Sequence, residues 1–171
     1  MSEQEEANKR IHQRFYQEVW SEGKLDVVDE IVAVDFEGHA PANTGARGVE
    51  GVKEFVKTWR TAFPDITFTV EQQFAEGEKV ASHFVAVGTN TGPFMGRPPT
   101  GKAGRLPGIA ISRIVNGKMQ SDWGEFDILG LMMQTGLIPS RPPGLGGPPG
   151  AGGPPGAGGP PGAGGPPPGN D

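Results

Sequence analysis

The chain has 171 residues, no cysteine and a formal net charge of −5. Without cysteine there are no disulfides, no thiolate catalysis and no cysteine-ligated zinc, and an acidic balance with no Lys/Arg cluster argues against nucleic acid or an anionic membrane surface as partner. From Pro139 onward the sequence is almost entirely Gly, Pro and Ala, so one core-forming domain is expected over residues 1–138, followed by a tail over 139–171.

No apolar run approaches the roughly 20 residues of a membrane span. The opening Met1-Ser-Glu-Gln-Glu-Glu6 is acidic where a signal peptide would be basic and then apolar. A soluble, cytoplasmic protein is the expectation. The first helix carries Ala7, Ile11, Phe15 and Val19 four apart, with His12, Tyr16 and Trp20 on the adjoining stripe. Gly23 stops it, and Leu25, Val28, Ile31 and Val32 mark a shorter second helix. Val34 to Ala40 reads as a brief strand that carries His39 toward a loop ending at Gly48. A third helix follows, with Val49, Val52, Val56, Trp59 and Phe63 spaced 3-4-3-4 and Pro64 ending it.

Beyond Pro64 the period becomes two. Ile66, Phe68, Val70, Gln72 and Phe74 alternate with Thr67, Thr69, Glu71 and Gln73, and a Glu-Gly-Glu turn leads to a partner strand over 79–89. A Gly/Pro-rich loop precedes a strand near Arg105 to Val115, which Asn116-Gly117 joins as a tight hairpin to the strand bearing Trp123. Helices first and a meandering antiparallel sheet afterwards define an α+β domain. The expectation is a curved sheet wrapped around the long third helix, with a pocket between them.

Asp122 falls in the last strand, in a half-buried setting where a carboxylate is costly unless it has a use. Side chains alternate on a strand, so Gln120, Asp122 and Gly124 are expected on one face and Trp123 on the other.

Phe15-Tyr-Gln-Glu-Val-Trp20, Asp35-Phe36 with His39, Gly51-Val-Lys-Glu-Phe55 and Ala62-Phe-Pro-Asp65 together resemble the SnoaL-like polyketide cyclase and ester cyclase family of the nuclear transport factor 2-like superfamily. Gly88-Thr-Asn-Thr-Gly92, Phe94-Met-Gly96, Pro99-Thr-Gly-Lys102, Gly108-Ile109, Asn116-Gly-Lys118 and Trp123 with Phe126-Asp127 continue the match across residues 7 to 138. The resemblance implies a cone-shaped, cystatin-like α+β barrel, a homodimer formed through the outer face of the sheet, and an apolar cavity open at one end. It also implies proton transfer by pocket carboxylates, with neither metal nor organic cofactor.

In cyclase-like relatives the residue after this tryptophan is commonly aspartate and looks like the acid-base position; here it is Gly124. Asp122 is the candidate substitute, about 7 Å away along the strand; otherwise it is a solvated or helix-capping carboxylate. His39, matching a family histidine, is a candidate to polarise a carbonyl or hydrogen-bond Asp122, or else a partly exposed strand-end residue. Tyr16, Trp20, Trp59 and Phe84 are candidates to line the substrate cavity, with core packing as the plainer role. Arg105 is a candidate to bind an ester or carboxylate group, or to lie at the rim. His83 is assigned to the outer face.

Phosphate-loop, His-Glu-x-x-His and Gly-x-Ser-x-Gly motifs do not occur. In the tail, glycine recurs at every third position from Gly144 through Gly165, formally the collagen register. A flexible, partly polyproline II extension is expected rather than a triple helix. Two readings remain open: a cyclase- or isomerase-type enzyme acting on an apolar polyketide-, steroid- or terpenoid-like carbonyl compound, with Asp122 as acid-base, or a non-catalytic small-molecule binding or dimeric assembly domain that lost the family's aspartate.

Overall fold

A computed structural model of the chain describes residues 2–41 and 45–139; the Gly-X-Y tail lies outside the described residues. The elements in chain order are α1 (Glu3–Arg14), which continues as a π-helical stretch (Phe15–Ser21), then α2 (Asp26–Ile31), β1 (Val32–His39) and α3 (Gly48–Ala62). β2 (Thr67–Glu76), β3 (Lys79–Thr89), β4 (Ala103–Val115), β5 (Lys118–Phe126) and α4 (Ile128–Gln134) complete them. No helix among the described residues is long and apolar enough to cross a membrane.

α1 begins with a reciprocal cap: Ser2 Oγ accepts from the Glu5 amide and Glu5 Oε2 accepts from the Ser2 amide. The wider winding after Arg14 lets Phe15, Tyr16, Val19 and Trp20 all turn inward. Further up, the buried residues are Asn8 and His12 rather than the expected Ala7 and Ile11, which are only half-buried. Arg60 of α3 holds the far end by donating from Nη1 to the carbonyls of Trp20 at 2.7 Å and Ser21 at 2.9 Å. These are the carbonyls a helix end leaves without a partner. In α3 the 3-4-3-4 pattern buries Val52, Val56 and Trp59, and Ala62 and Phe63 close the same face.

The five strands form one sheet in the order β1-β5-β4-β3-β2. The expected meander is present, because β2-β3, β3-β4 and β4-β5 are all antiparallel. Two expectations are corrected. β1 joins as a parallel neighbour of β5, a crossover that periodicity does not encode, so the sheet is mixed. It also remains open between β1 and β2, so it curves without closing into a barrel. The β4-β5 turn places Asn116 at φ 51° and Gly117 at φ 76°, the two left-handed positions of a tight hairpin.

Two bulges decide which side chains reach the interior. In β2 the pairing steps from Val70↔Phe84 to Gln72↔His83, which leaves Glu71 as an extra residue. In β5 it steps from Met119↔Ile114 to Ser121↔Arg113, which leaves Gln120 as the extra residue. Each reverses the facing of everything beyond it. Phe74, which unbroken alternation would place with Phe68 and Val70, is therefore 68% exposed, and Gln73 turns inward instead. Met119 is fully buried and Asp122 also faces in, although strict alternation would put residues three apart on opposite faces.

Candidate active site

Phe15, Tyr16 and Trp20 from the helical stretch, Phe55 and Trp59 from α3, and Phe68 and Phe84 from the sheet enclose a cavity of about 70 Å³. Their rings pack against one another: Tyr16 stacks on Phe68 with centroids 5.5 Å apart, Trp20 meets Phe55 edge-on at 5.8 Å, and Trp59 touches Phe94 and Phe126. Tyr16, Trp20, Trp59 and Phe84 thus all lie on the cavity wall and all belong to the buried core as well.

Asp122 and Gly124 stand on the same wall, as alternation from Asp122 onward requires. The residue opposite Asp122 on β1 is Gly38, which has no side chain of its own to cover the carboxylate. Ser112, its cross-strand neighbour on β4, donates from Oγ to Asp122 Oδ1 at 2.5 Å. The side chain is half-buried on the cavity wall, and this burial pushes its pKa up to about 6, while the Ser112 hydrogen bond pulls the other way. The Tyr16 phenol is held protonated well above its ordinary range, first by burial and second by the negative charge of Asp122. A carboxylate able to exchange a proton near neutrality therefore faces the same space as a phenol that keeps its proton.

His39 does not join this pair. It is in register with Trp123 across the parallel β1-β5 ladder, and paired side chains leave a sheet on the same face. Its ring lies flat on Trp123, centroids 4.8 Å apart and 5° from parallel. His39 reaches the cavity's edge, but among the described residues no hydrogen bond links it to Asp122. Arg105 is exposed, beside Asp65, Thr89 and Gln134 at a separate surface hollow. Its place is outside the cavity, because it alternates outward from buried Leu106. The helix-capping alternative belongs to Asp127, whose Oδ1 accepts from the Gly130 amide at 2.7 Å at the start of α4. His83 faces outward next to Glu71, Nδ1 to Oε2 3.3 Å. No group of three or more His, Cys, Asp or Glu able to hold a metal ion occurs among the described residues.

Sequence reasoning missed a set of buried polar groups that reaches Asp122 through Ser112. His12 is completely buried, with Nε2 2.9 Å from Ser112 Oγ and Nδ1 2.9 Å from Ser82 Oγ. Ser82 in turn accepts from Gln73 Nε2 at 3.1 Å. The available signal was a set of polar residues at positions whose neighbours in the period are apolar: His12 before Tyr16 and Trp20, Ser82 between Val80 and Phe84, and Ser112 between Ala110 and Ile114.

An α+β fold with an open curved sheet, a wall of aromatic side chains and one carboxylate set among them defines the class: a nuclear transport factor 2-like domain. The chain matches the SnoaL-like polyketide cyclase family over residues 10–135, and it belongs to that family. Solved structures agree. A protein from Jannaschia sp. CCS1 described as a SnoaL-like polyketide cyclase is 26% identical, with 81% of this chain and 98% of that one covered at a TM-score of 0.75. A protein from Acidithiobacillus ferrooxidans described as a polyketide cyclase is 32% identical, covering 80% and 99% at a TM-score of 0.70. IdmH from Streptomyces antibioticus, described in the same terms, is 29% identical, covering 75% and 98% at a TM-score of 0.68. No curated protein matches the chain.

Proposed function

We propose that this protein is a cofactor-independent cyclase- or isomerase-type enzyme in which Asp122 removes and returns a proton on the carbon next to a carbonyl of an apolar, polyketide-, steroid- or terpenoid-like molecule. The observation that carries the reading is a single carboxylate set in an aromatic-walled cavity with its pKa pushed up to about 6. A base of that strength is ionised at neutral pH yet holds a proton well enough to return it.

Asp122 accepts the proton from carbon, and the electron pair of the broken C–H bond moves into the carbonyl as an enolate. The Tyr16 hydroxyl hydrogen-bonds the enolate oxygen. In a cyclisation the enolate carbon then bonds to a second carbonyl carbon of the same molecule, and the proton held by Asp122 goes to the new alkoxide. In an isomerisation it returns to a different carbon. A cavity of about 70 Å³ is roughly half the size of an apolar protein cavity of about 150 Å³ that holds one benzene, so it receives the reacting end of the substrate while the remainder occupies the mouth.

The homodimer is part of the same proposal. Ile111, Trp123 and His39 form a row across β4, β5 and β1 on the outer face, and Ile109 and Ile111 are 54% and 43% exposed. Such a patch is what a sheet-to-sheet contact would cover. The test of function is proton–deuterium exchange next to the carbonyl of small apolar ketones such as 2-indanone, followed by NMR. Wild-type protein should accelerate exchange, and Asp122→Asn should bind the ketone and leave exchange at the buffer rate. Equal binding with no exchange by either protein would replace the enzyme with the binding-domain reading, which Gly124 at the family's acid-base position favours.

A further inference from the structure

Behind Asp122 a file of hydrogen bonds runs through the core from β2 to β5 by way of α1: Gln73, Ser82, His12, Ser112, Asp122. Ser82 and Ser112 are buried to 1% and 0% exposure and His12 to 0%, so no bulk water competes for these groups. Donor and acceptor roles follow from counting protons. Ser112 has one hydroxyl proton and gives it to Asp122 Oδ1. The contact between Ser112 Oγ and His12 Nε2 must then be a donation from Nε2–H. An imidazole that carries its proton on Nε2 accepts at Nδ1, so Ser82 donates there and itself accepts from the Gln73 amide. Every donor points toward the carboxylate.

Neutrality of His12 is required for this order, because an imidazolium would donate at both nitrogens and turn Ser82 around. Burial lowers its pKa to about 3, which keeps it neutral. The titratable groups brought to His12 are Tyr16 on its own helix, ring centroids 5.0 Å away, and Asp122 on β5 through Ser112. β2, β3 and β4 present Gln73, Ser82 and Ser112, none of which titrates in this range.

We propose that His12 is a positioning residue for the reaction: its neutral Nε2–H form fixes the Ser112 hydroxyl as a donor to Oδ1, so that Oδ2 is the oxygen Asp122 offers as base. Oδ2 is the oxygen on the Gly124 side, where a Cβ at Gly124 would stand 3.8 Å from it on the cavity wall. Both ends of the file depend on the bulges at Glu71 and Gln120, which turn Gln73 and Asp122 inward. The inference rests on the reading of Asp122 as the base, and its test does not use activity.

In 15N-labelled full-length protein, long-range 1H–15N correlation identifies the tautomer of His12, assigned by the signal lost in His12→Gln. The expected result is a neutral ring protonated at Nε2 at pH 8 and still neutral at pH 5. An Nδ1–H ring or an imidazolium overturns the proposal. A second readout is the titration of the Asp122 carboxyl carbon. Ser112→Ala should raise its midpoint by about one pH unit, the size of one hydrogen bond to a charged group. His12→Leu should move it in the same direction, and His12→Gln, which keeps one N–H donor and one acceptor, should restore it toward wild type. An unchanged midpoint in folded Ser112→Ala overturns the proposal even where His12→Leu does not fold. Ketone exchange without the Nε2–H tautomer would retain Asp122 as base and reject His12, whereas the tautomer without exchange would keep the order of the hydrogen bonds and overturn both roles in catalysis.

Discussion

Replacing Asp122 with Asn should make the protein more stable above neutrality and leave it unchanged in acid. Burial lifts the carboxyl from 3.8 to about 6, so the folded state holds this proton more tightly than the unfolded chain. That contribution favours the fold below 3.8 and is lost as pH rises through 6. A shift of about 2 units at about 1.4 kcal/mol each sets an upper bound of roughly 3 kcal/mol, reduced by whatever water reaches the half-buried side chain. Asn mimics the neutral acid and still accepts from Ser112, so at pH 4 the variant and the wild type should unfold alike. By pH 7 to 8 the variant should be more stable by up to about 3 kcal/mol. His12 works in the opposite direction: its lowered pKa removes stability as pH falls from about 6.5 toward 3. In the wild type the two largely cancel between pH 4 and 6. In Asp122→Asn the His12 contribution stands alone, and stability should climb across that window by up to about 1.4 kcal/mol per pH unit. Urea unfolding followed by fluorescence of Trp20 and Trp59 measures both curves, and the difference between them removes the background from surface carboxylates. Parallel curves from pH 4 to 8 would refute the placement of Asp122 as a half-buried, reluctant anion.

Tyr16→Phe should slow ketone exchange by about 10²- to 10³-fold, the usual loss for one donor to a developing oxyanion, with ketone binding little changed by NMR titration. Gly124→Asp sets a second carboxylate beside the first, its Cβ 3.3 Å from Phe126 and 3.8 Å from Asp122 Oδ2. The Asp122 carboxyl carbon should then titrate at least one unit higher, and an unmoved midpoint would show that the two groups do not share the cavity. Ile111→Lys on the outer face should convert a dimer to a monomer in light scattering without altering the far-ultraviolet circular dichroism.

Much of the fold is legible where a local rule acts alone. The 3-4-3-4 spacing from Val49 to Phe63 becomes α3, and Asn116-Gly117 becomes the tight turn its φ angles require. The matched segments carry the family across residues 10–135. What the sequence hides depends on a single inserted residue. Glu71 and Gln120 look like ordinary members of alternating strands, yet each is a bulge that reverses the facing beyond it, so unbroken alternation groups Phe74 with Phe68 and Val70 while the fold turns Gln73 inward. The parallel β1-β5 pairing is equally silent in the periodicity, and it sends His39 to Trp123 rather than to Asp122. His12 was visible as a stripe residue, but its partners Ser82 and Ser112 lie 70 and 100 positions away. Only the assembled sheet brings them together.

The most direct test of Asp122 as the working base is the pH dependence of ketone exchange by the wild-type protein between pH 4 and 9. The account predicts a rate that rises through a midpoint near 6, where Asp122 loses its proton, and levels off above it. A rate that parallels buffer exchange across the whole range, with no protein-dependent step near 6, would contradict it.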